Sequence, residues 1–301
     1  MTVAILREIG PGSFAVTATR DHVENGEIFT QMPKVAAQAP LIGSLLNRSR
    51  WDAPARYKVS VILVHYNDQK ALRLCLAQYA GQVIEPRSME IIVADDGTPG
   101  GIEDTIKECR WPNIRVITNP RKDPKEWRNP AQVSNAALAA CEGENYILHG
   151  AHVVPSSPTA VSNMIALQRG KFGRVLSSTV DLDRTSSTEV FRAPASIRVL
   201  ASRGIRFYRY VALTPLDAAL RVGGFSQCWK GWGGEDIDLE DRMARSGLRD
   251  LARYEMGRWV HLWHPPLRES LGEQSARRLR WWMAQKHTHA VHDPVPKLYT
   301  L

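Results

Sequence analysis

The run Val59–Val64 (VSVILV) is the feature that most limits what this chain can become. It is rich in β-branched residues and interrupted only by Ser60, so it suits a strand buried on both faces, the mark of a parallel sheet. A helix pattern follows, in which Leu72, Cys75, Leu76 and Tyr79 recur at i, i+3, i+4 and i+7, with Asn67 or Asp68 placed to cap it. The alternation then repeats. Glu90–Ala94 reads as a second buried strand ending at Asp95-Asp96-Gly97, Ile102–Cys109 as a helix, and Ile114–Thr118 as a third strand. Pro130–Cys141 is alanine-rich and helical, and Asn145–Leu148 is a fourth strand. Strands alternating with helices at this spacing predict an α/β chain with a parallel sheet and helices on both faces. Ligands of such sheets bind beyond the carboxyl ends of the strands, which puts Tyr66–Asp68, Asp95–Gly97 and His149–Val153 along one edge.

The flanks read differently. In residues 1–56, Ser13–Thr19 alternates, Asn25-Gly26 suits a tight hairpin turn before Glu27–Met32, and Pro33, Pro40 and Pro54 punctuate a linker with a short helix near Leu41–Leu46. The expected division is an N-terminal extension over 1–56, a catalytic domain over 57–265 and a helical tail over 266–301. The chain has 301 residues, enough for a full core, and 23% charged against 44% hydrophobic residues exclude a disordered chain. No apolar run approaches the ~20 residues of a membrane-spanning helix. Arg7 and Glu8 stand where a signal peptide would be apolar, and the four cysteines (Cys75, Cys109, Cys141 and Cys228) are widely spaced. The expected location is therefore the cytoplasm, with reduced thiols. The formal charge is +8, densest at the C-terminal end, and suggests an anionic partner.

Four runs carry a resemblance: VSVILVHYN (59–67), EIIVADDGT (90–98), NYILHGAHVVP (145–155) and VGGFSQCWKGWGGEDIDLEDRMARSG (222–247). Together they resemble nucleotide-sugar glycosyltransferases with the GT-A fold, family 2, and the galactosyltransferase-like branch that carries a WGGED motif. The similarity covers residues 57–265 and implies a Rossmann-like, mostly parallel sheet flanked by helices. It further implies a nucleotide diphosphate sugar as donor, UDP-linked, and an acceptor hydroxyl. Donor contacts then fall on Tyr66, Asn67, Asp95, Asp96, Arg128, Asn135, His149, Gly150, Trp232, Gly233 and Gly234. The residues themselves allow plainer uses. One of Asp95 and Asp96 can make an Asx turn before Gly97, Arg128 can be solvated, and Asn135 can merely fix a helix. Trp232 offers an aromatic face to a sugar, and Gly233-Gly234 lets the backbone come close to a ligand.

The segment His149-Gly150-Ala151-His152 stands where the resembled family has Asp-x-Asp, the pair that coordinates a divalent metal, Mn²⁺ or Mg²⁺, at the diphosphate leaving group. His152 takes the place of the second acid and Gly150 supplies no ligand, which shifts preference from Mg²⁺ toward softer metals. His264, in VHLWHPP (260–266), is the expected partner of His152 at the metal. Metal-independent catalysis and a structural zinc site on the two HxxH pairs (149/152 and 261/264) stand behind that reading.

Glu235 and Asp236 open a helix after Gly234, where carboxylates also simply suit the macrodipole. By resemblance Asp236 is the base that takes the acceptor proton in an inverting transfer, and Glu235 holds sugar or acceptor hydroxyls. Retaining relatives tend to carry Asn at that position. Asp238 orients the loop or caps the helix. The tail Arg277-Arg278-Leu279-Arg280-Trp281-Trp282 mixes basic and aromatic side chains, a pattern suited to DNA or an anionic membrane surface, or to plain packing on the domain. Acceptor candidates are a glycan, a lipid-linked precursor, a natural product or a hydroxylated base in DNA. The competing expectation is a catalytically degenerate scaffold that binds nucleotide or polyanion without turnover.

Overall fold

A computed structural model of the chain describes residues 54–120, 129–168, 170–203, 205–227 and 234–264, together with the strands at 2–10, 13–20, 23–24 and 27–28. In chain order the strands are β1 (Thr2–Gly10), β2 (Ser13–Arg20), β3 (Val23–Glu24), β4 (Glu27–Ile28), β5 (Tyr57–His65), β6 (Met89–Asp95), β7 (Ile114–Thr118), β8 (Gly143–Gly150), β9 (Val153–Pro155), β10 (Arg174–Asp181), β11 (Ile205–Pro215) and β12 (Asp250–His261). The helices are α1 (Gln69–Ala80), α2 (Glu103–Lys107), α3 (Ala131–Ala140), α4 (Ala160–Gln168), α5 (Arg184–Arg192), α6 (Ile197–Arg203), α7 (Leu216–Arg221) and α8 (Glu235–Arg245), with short 3₁₀ turns at Pro86–Ser88 and Pro194–Ser196.

Ten strands form one sheet in the order β2-β1-β7-β6-β5-β8-β11-β10-β12-β9. Five neighbouring pairs are parallel (β1/β7, β7/β6, β6/β5, β5/β8 and β10/β12), and the antiparallel pairs sit at β11 and the two edges. Strand β5 lies at the centre because it is apolar on both sides. Val59, Val61 and Leu63 pack with Leu72, Cys75, Leu76 and Tyr79 of α1. Ile62 faces the opposite way, into a core built on α3 and on Leu239 and Met243 of α8. Two layers of helix thus bury the two faces of one sheet, as a near-continuous hydrophobic strand requires.

The periodicity of α1 is borne out, since all four of its expected core residues are buried. Its cap is Asp68, whose carboxylate accepts from the Ala71 N–H at 3.0 Å. Asn67 instead turns the chain with φ +50°, a conformation asparagine tolerates better than most residues. Helix α2 is shorter than its sequence suggests, and β8 runs longer. Glu24 pairs with Glu27 in the small β3/β4 ladder across Asn25-Gly26. Strand β1 pairs parallel with β7 and antiparallel with β2, so β1 and β2 extend the main sheet. Among the described residues Cys75, Cys109 and Cys141 form no disulfide, and no helix is long and apolar enough to cross a membrane. The expected tail at 266–301, the linker at 33–53 and Cys228 lie outside the described residues.

Candidate active site at the carboxyl edge of the sheet

Backbone hydrogen bonds hold the strand ends level. Asp96 N–H donates to His65 O at 2.8 Å, Asn119 N–H to Asp95 O at 2.8 Å, and Ala151 N–H to Val64 O at 2.9 Å. The ends of β5, β6, β7 and β8 therefore form a continuous ledge, as the sequence predicts for a parallel sheet. Asp95 spends its carboxylate on the turn, accepting from Thr98 N–H at 3.1 Å and from the Thr98 hydroxyl at 2.5 Å. Burial pushes its pKa up, and the Thr98 bonds pull it back. Asp96 accepts from Asn119 Nδ2 at 3.2 Å. The division of labour between the two acids follows: Asp95 makes the Asx turn and Asp96 sits one residue further out. Asn67 N–H donates to Thr98 Oγ1, and Tyr66 is 36% exposed at the same ledge.

Amide side chains at the start of α3 reach this ledge on one side and α8 on the other. Asn119 Nδ2 also reaches Gln132 Oε1, in the first turn of α3. Just before that helix, Asn129 Oδ1 accepts from Ala131 N–H while its Nδ2 donates to Glu235 Oε2 at 2.8 Å. Glu235, buried at the first position of α8, is thereby oriented by a residue that stands just before α3. Its neighbour Asp236 is exposed, with one carboxylate oxygen accepting from Ile237 N–H at 2.9 Å. Gly234 makes the entry to α8 with φ +100°, a left-handed conformation that a side chain would oppose.

Asp238 points inward. It pairs with Arg242 at 2.7 Å and accepts from Ser226 Oγ at 2.8 Å, while Arg242 also donates to Val222 O and Gly224 O. This buried pair fixes the 222–226 turn against α8, the loop-orienting use expected for Asp238. The structure gives two of the expected donor residues other work. Asn135 is fully buried, and both ends of its amide bond the Phe225 backbone at 2.8 Å, tying α3 to the same turn. His149 is buried too. Its Nδ1–H donates to Gly150 O and its Nε2 accepts from the Tyr79 hydroxyl at 2.6 Å, so both ring nitrogens are engaged, and the ring packs in a mutual cluster with Tyr79 and Trp259. Burial pushes its pKa down to about 4, which keeps it neutral. Arg128, Trp232 and Gly233 lie outside the described residues.

Beyond β8 the chain turns through Ala151-His152 into β9, and the sheet order brings β9, β12 and β10 side by side. The register pairs Val153 with His261 and His261 with Asp181. Leu262 N–H donates to His152 O at 2.9 Å, so the turn and the end of β12 are held together. Three imidazoles converge there. The ring centroids lie 4.9 Å apart for His152–His261, 4.7 Å for His152–His264 and 5.2 Å for His261–His264. One nitrogen from each falls within 4.8 Å of the others, a donor set that fits a borderline divalent metal. The expected pair His152 and His264 is thus brought together, joined by His261. Sequence reasoning put His261 only in the structural zinc alternative, through its i, i+3 spacing from His264, and not at the catalytic metal. Gly150 is closely fitted: a Cβ there would lie 2.4 Å from His152 Cε1.

Known proteins share sequence patterns and the fold with this chain. Residues 60–170 match the glycosyl transferase family 2 pattern, and residues 211–265 match the N-terminal domain of galactosyltransferase. A mannosyltransferase from Pyrobaculum calidifontis, solved with GDP-Man and Mn²⁺, superimposes with a TM-score of 0.50 at 20% identity, covering 79% of this chain and 66% of that one. The fold is that of the GT-A glycosyltransferases. The glucosyl-3-phosphoglycerate synthase of Mycobacterium tuberculosis, solved with Mn²⁺, UDP and phosphoglyceric acid, gives a TM-score of 0.50 at 17% identity over 82% of this GT-A chain and 83% of its own. Among curated proteins, a dolichyl N-acetyl-α-D-glucosaminyl phosphate 3-β-D-2,3-diacetamido-2,3-dideoxy-β-D-glucuronosyltransferase of Methanococcus voltae is 26% identical over 117 residues. That match spans 38% of this chain and about a third of the relative, 35% of its length.

Proposed function

We propose that the protein is an inverting glycosyltransferase that moves a hexose or N-acetylhexosamine from a nucleotide diphosphate sugar, UDP-linked, to an acceptor hydroxyl. The observation that carries the reading is the convergence of nucleotide-type acids, a histidine cluster and the α8 carboxylates on one sheet edge. Tyr66 and Asp96 lie where a base and ribose would rest, at the carboxyl ends of β5 and β6. His152 and His264 would hold a divalent ion, which when bound would neutralise the diphosphate leaving group. Asp236 is exposed and engaged through one oxygen only among the bonds described, so its carboxylate is available to accept a proton from the attacking hydroxyl. Glu235, oriented by Asn129, binds sugar or acceptor hydroxyls.

The test is a donor panel with product analysis, run on the wild type and on Asp236→Asn. The variant keeps the helix N-terminus and the shape of the side chain but removes the base. Transfer with inversion that falls by at least about 100-fold, with the thermal midpoint unchanged, is the expected result. Full turnover by the variant overturns the base assignment. Binding of nucleotide sugars with no turnover by the wild type under any metal establishes the degenerate scaffold instead.

A further inference from the structure

We infer that His261, oriented by Asp181, is a third metal ligand, and that the centre is an all-imidazole site selecting Co²⁺ and Zn²⁺ over Mg²⁺. The inference deepens the reading above and rests on it for the role of the ion, but its chemistry is carried by this chain's own residues.

Four observations support it. First, among the described residues the potential ligand atoms that cluster here come from three histidines and no carboxylate. Imidazole suits Zn²⁺ and its first-row neighbours, whereas Mg²⁺ demands oxygen ligands and sheds water reluctantly. Second, the His152 ring fills the space beside the position two residues before it: a Cβ on Gly150 would meet that ring at 2.4 Å. Ring and carboxylate are alternatives at that spot, and His261, arriving from β12, supplies the donor that Gly150 lacks.

Third, Asp181 Oδ1 lies 2.8 Å from His261 Nδ1. A carboxylate there holds the proton on Nδ1 and leaves the Nε2 lone pair for a metal, and it raises the basicity of the ring. This is the arrangement by which outer carboxylates orient metal-binding histidines. Fourth, the contact is imposed by the fold. Asp181 and His261 are register partners at the ends of adjacent parallel strands, so the pair is set when β10 and β12 align. Three protein ligands leave further coordination positions for oxygens of a diphosphate.

The experiment needs no sugar donor. Metal-stripped protein is titrated calorimetrically with Co²⁺, Zn²⁺, Mn²⁺ and Mg²⁺, with visible absorption of the Co²⁺ form as a second readout, for the wild type and for His261→Gln, Asp181→Ala and Asp181→Asn. The wild type is expected to bind one Co²⁺ or Zn²⁺ at least about 100-fold more tightly than Mg²⁺, with Mn²⁺ between them. Asp181→Ala is expected to lose roughly 10–100-fold in Co²⁺ affinity, and Asp181→Asn, which keeps an acceptor oxygen, less. A purely structural Asp181 would lower the melting temperature of both variants and leave the affinity of the folded protein untouched. Equal Mg²⁺ and Co²⁺ affinity, or unchanged affinity and spectrum in His261→Gln, overturns the inference while leaving sugar transfer standing. Metal selection as stated, without transfer from any donor, overturns the transferase reading and leaves the centre in place.

Discussion

Gly150→Ala separates the proposed metal centre from the stability of the fold. The added Cβ would lie 2.4 Å from His152 Cε1, whereas carbon atoms in ordinary contact sit about 3.5–4.0 Å apart. The ring must therefore give by about 1 Å or more, five times the ~0.2 Å within which metal–ligand distances are held. The backbone conformation does not oppose the change. Gly150 is not among the positive-φ glycines, and in a strand alanine is worth roughly 0.5–1 kcal/mol over glycine through the entropy of the unfolded chain. The atom in the way is the far end of a side chain, not backbone, so the ring swings aside and the strand stays. Differential scanning calorimetry should find the midpoint unchanged or slightly raised. Co²⁺ titration should find affinity reduced at least about 100-fold, close to 2.7 kcal/mol, as one of three ligands is turned away. Affinity equal to the wild type would refute His152 as a ligand. A midpoint lowered by several degrees would refute the claim that the ring alone absorbs the change. Gly150→Asp carries the same Cβ and should fare no better, despite restoring an acid at that place in the sequence.

Further consequences follow from the buried polar groups. Asp238→Ala strands the Arg242 guanidinium in the core with its two carbonyl partners, and should cost about 3–5 kcal/mol in urea unfolding; a cost under about 1 kcal/mol would show the pair to be dispensable. Acid should destabilise the fold before the carboxylates titrate. Burial pushes His65 and His149 down to about 4, against an ordinary ~6.5 in the unfolded chain. As pH falls through 6.5 the unfolded state takes up protons that the folded state refuses, so stability is full above that pH and declines toward 4. By pH 5 each histidine should cost about 2 kcal/mol, with Asp95, whose carboxyl is raised by burial, acting in the opposite direction. His149→Phe should remove a large part of the slope of urea midpoint against pH between 7 and 5, and an unchanged slope would mean the ring is protonated in place.

What could be read from the sequence, and what could not, divides along the range of the interactions involved. Helix α1 was legible because its four core residues recur within three turns, and the strand ends were legible because an apolar run stops where polar residues begin. Asp68 over Asn67 as the cap was not, since the choice turns on which of two adjacent residues takes a left-handed backbone. His149 and Asn135 carry the residue types of a binding site, yet the partners that engage them, Tyr79 and Phe225, stand 70 and 90 positions away in the chain. The Asp181 partner of His261 was hidden for the same reason. The spacing of His261 from His264 could be seen, but Asp181 lies 80 positions earlier, and only the parallel register of β10 with β12 makes them neighbours. The signal available was Val180-Asp181-Leu182 ending one strand and Val260-His261-Leu262 ending another, two apolar-polar-apolar triplets that meet if the strands pair in register. The glycine at 150 reads as a loss when the sequence is compared with an Asp-x-Asp pattern. In three dimensions it is the space that the His152 ring occupies, so the missing acid and the added imidazoles are one change seen from two sides.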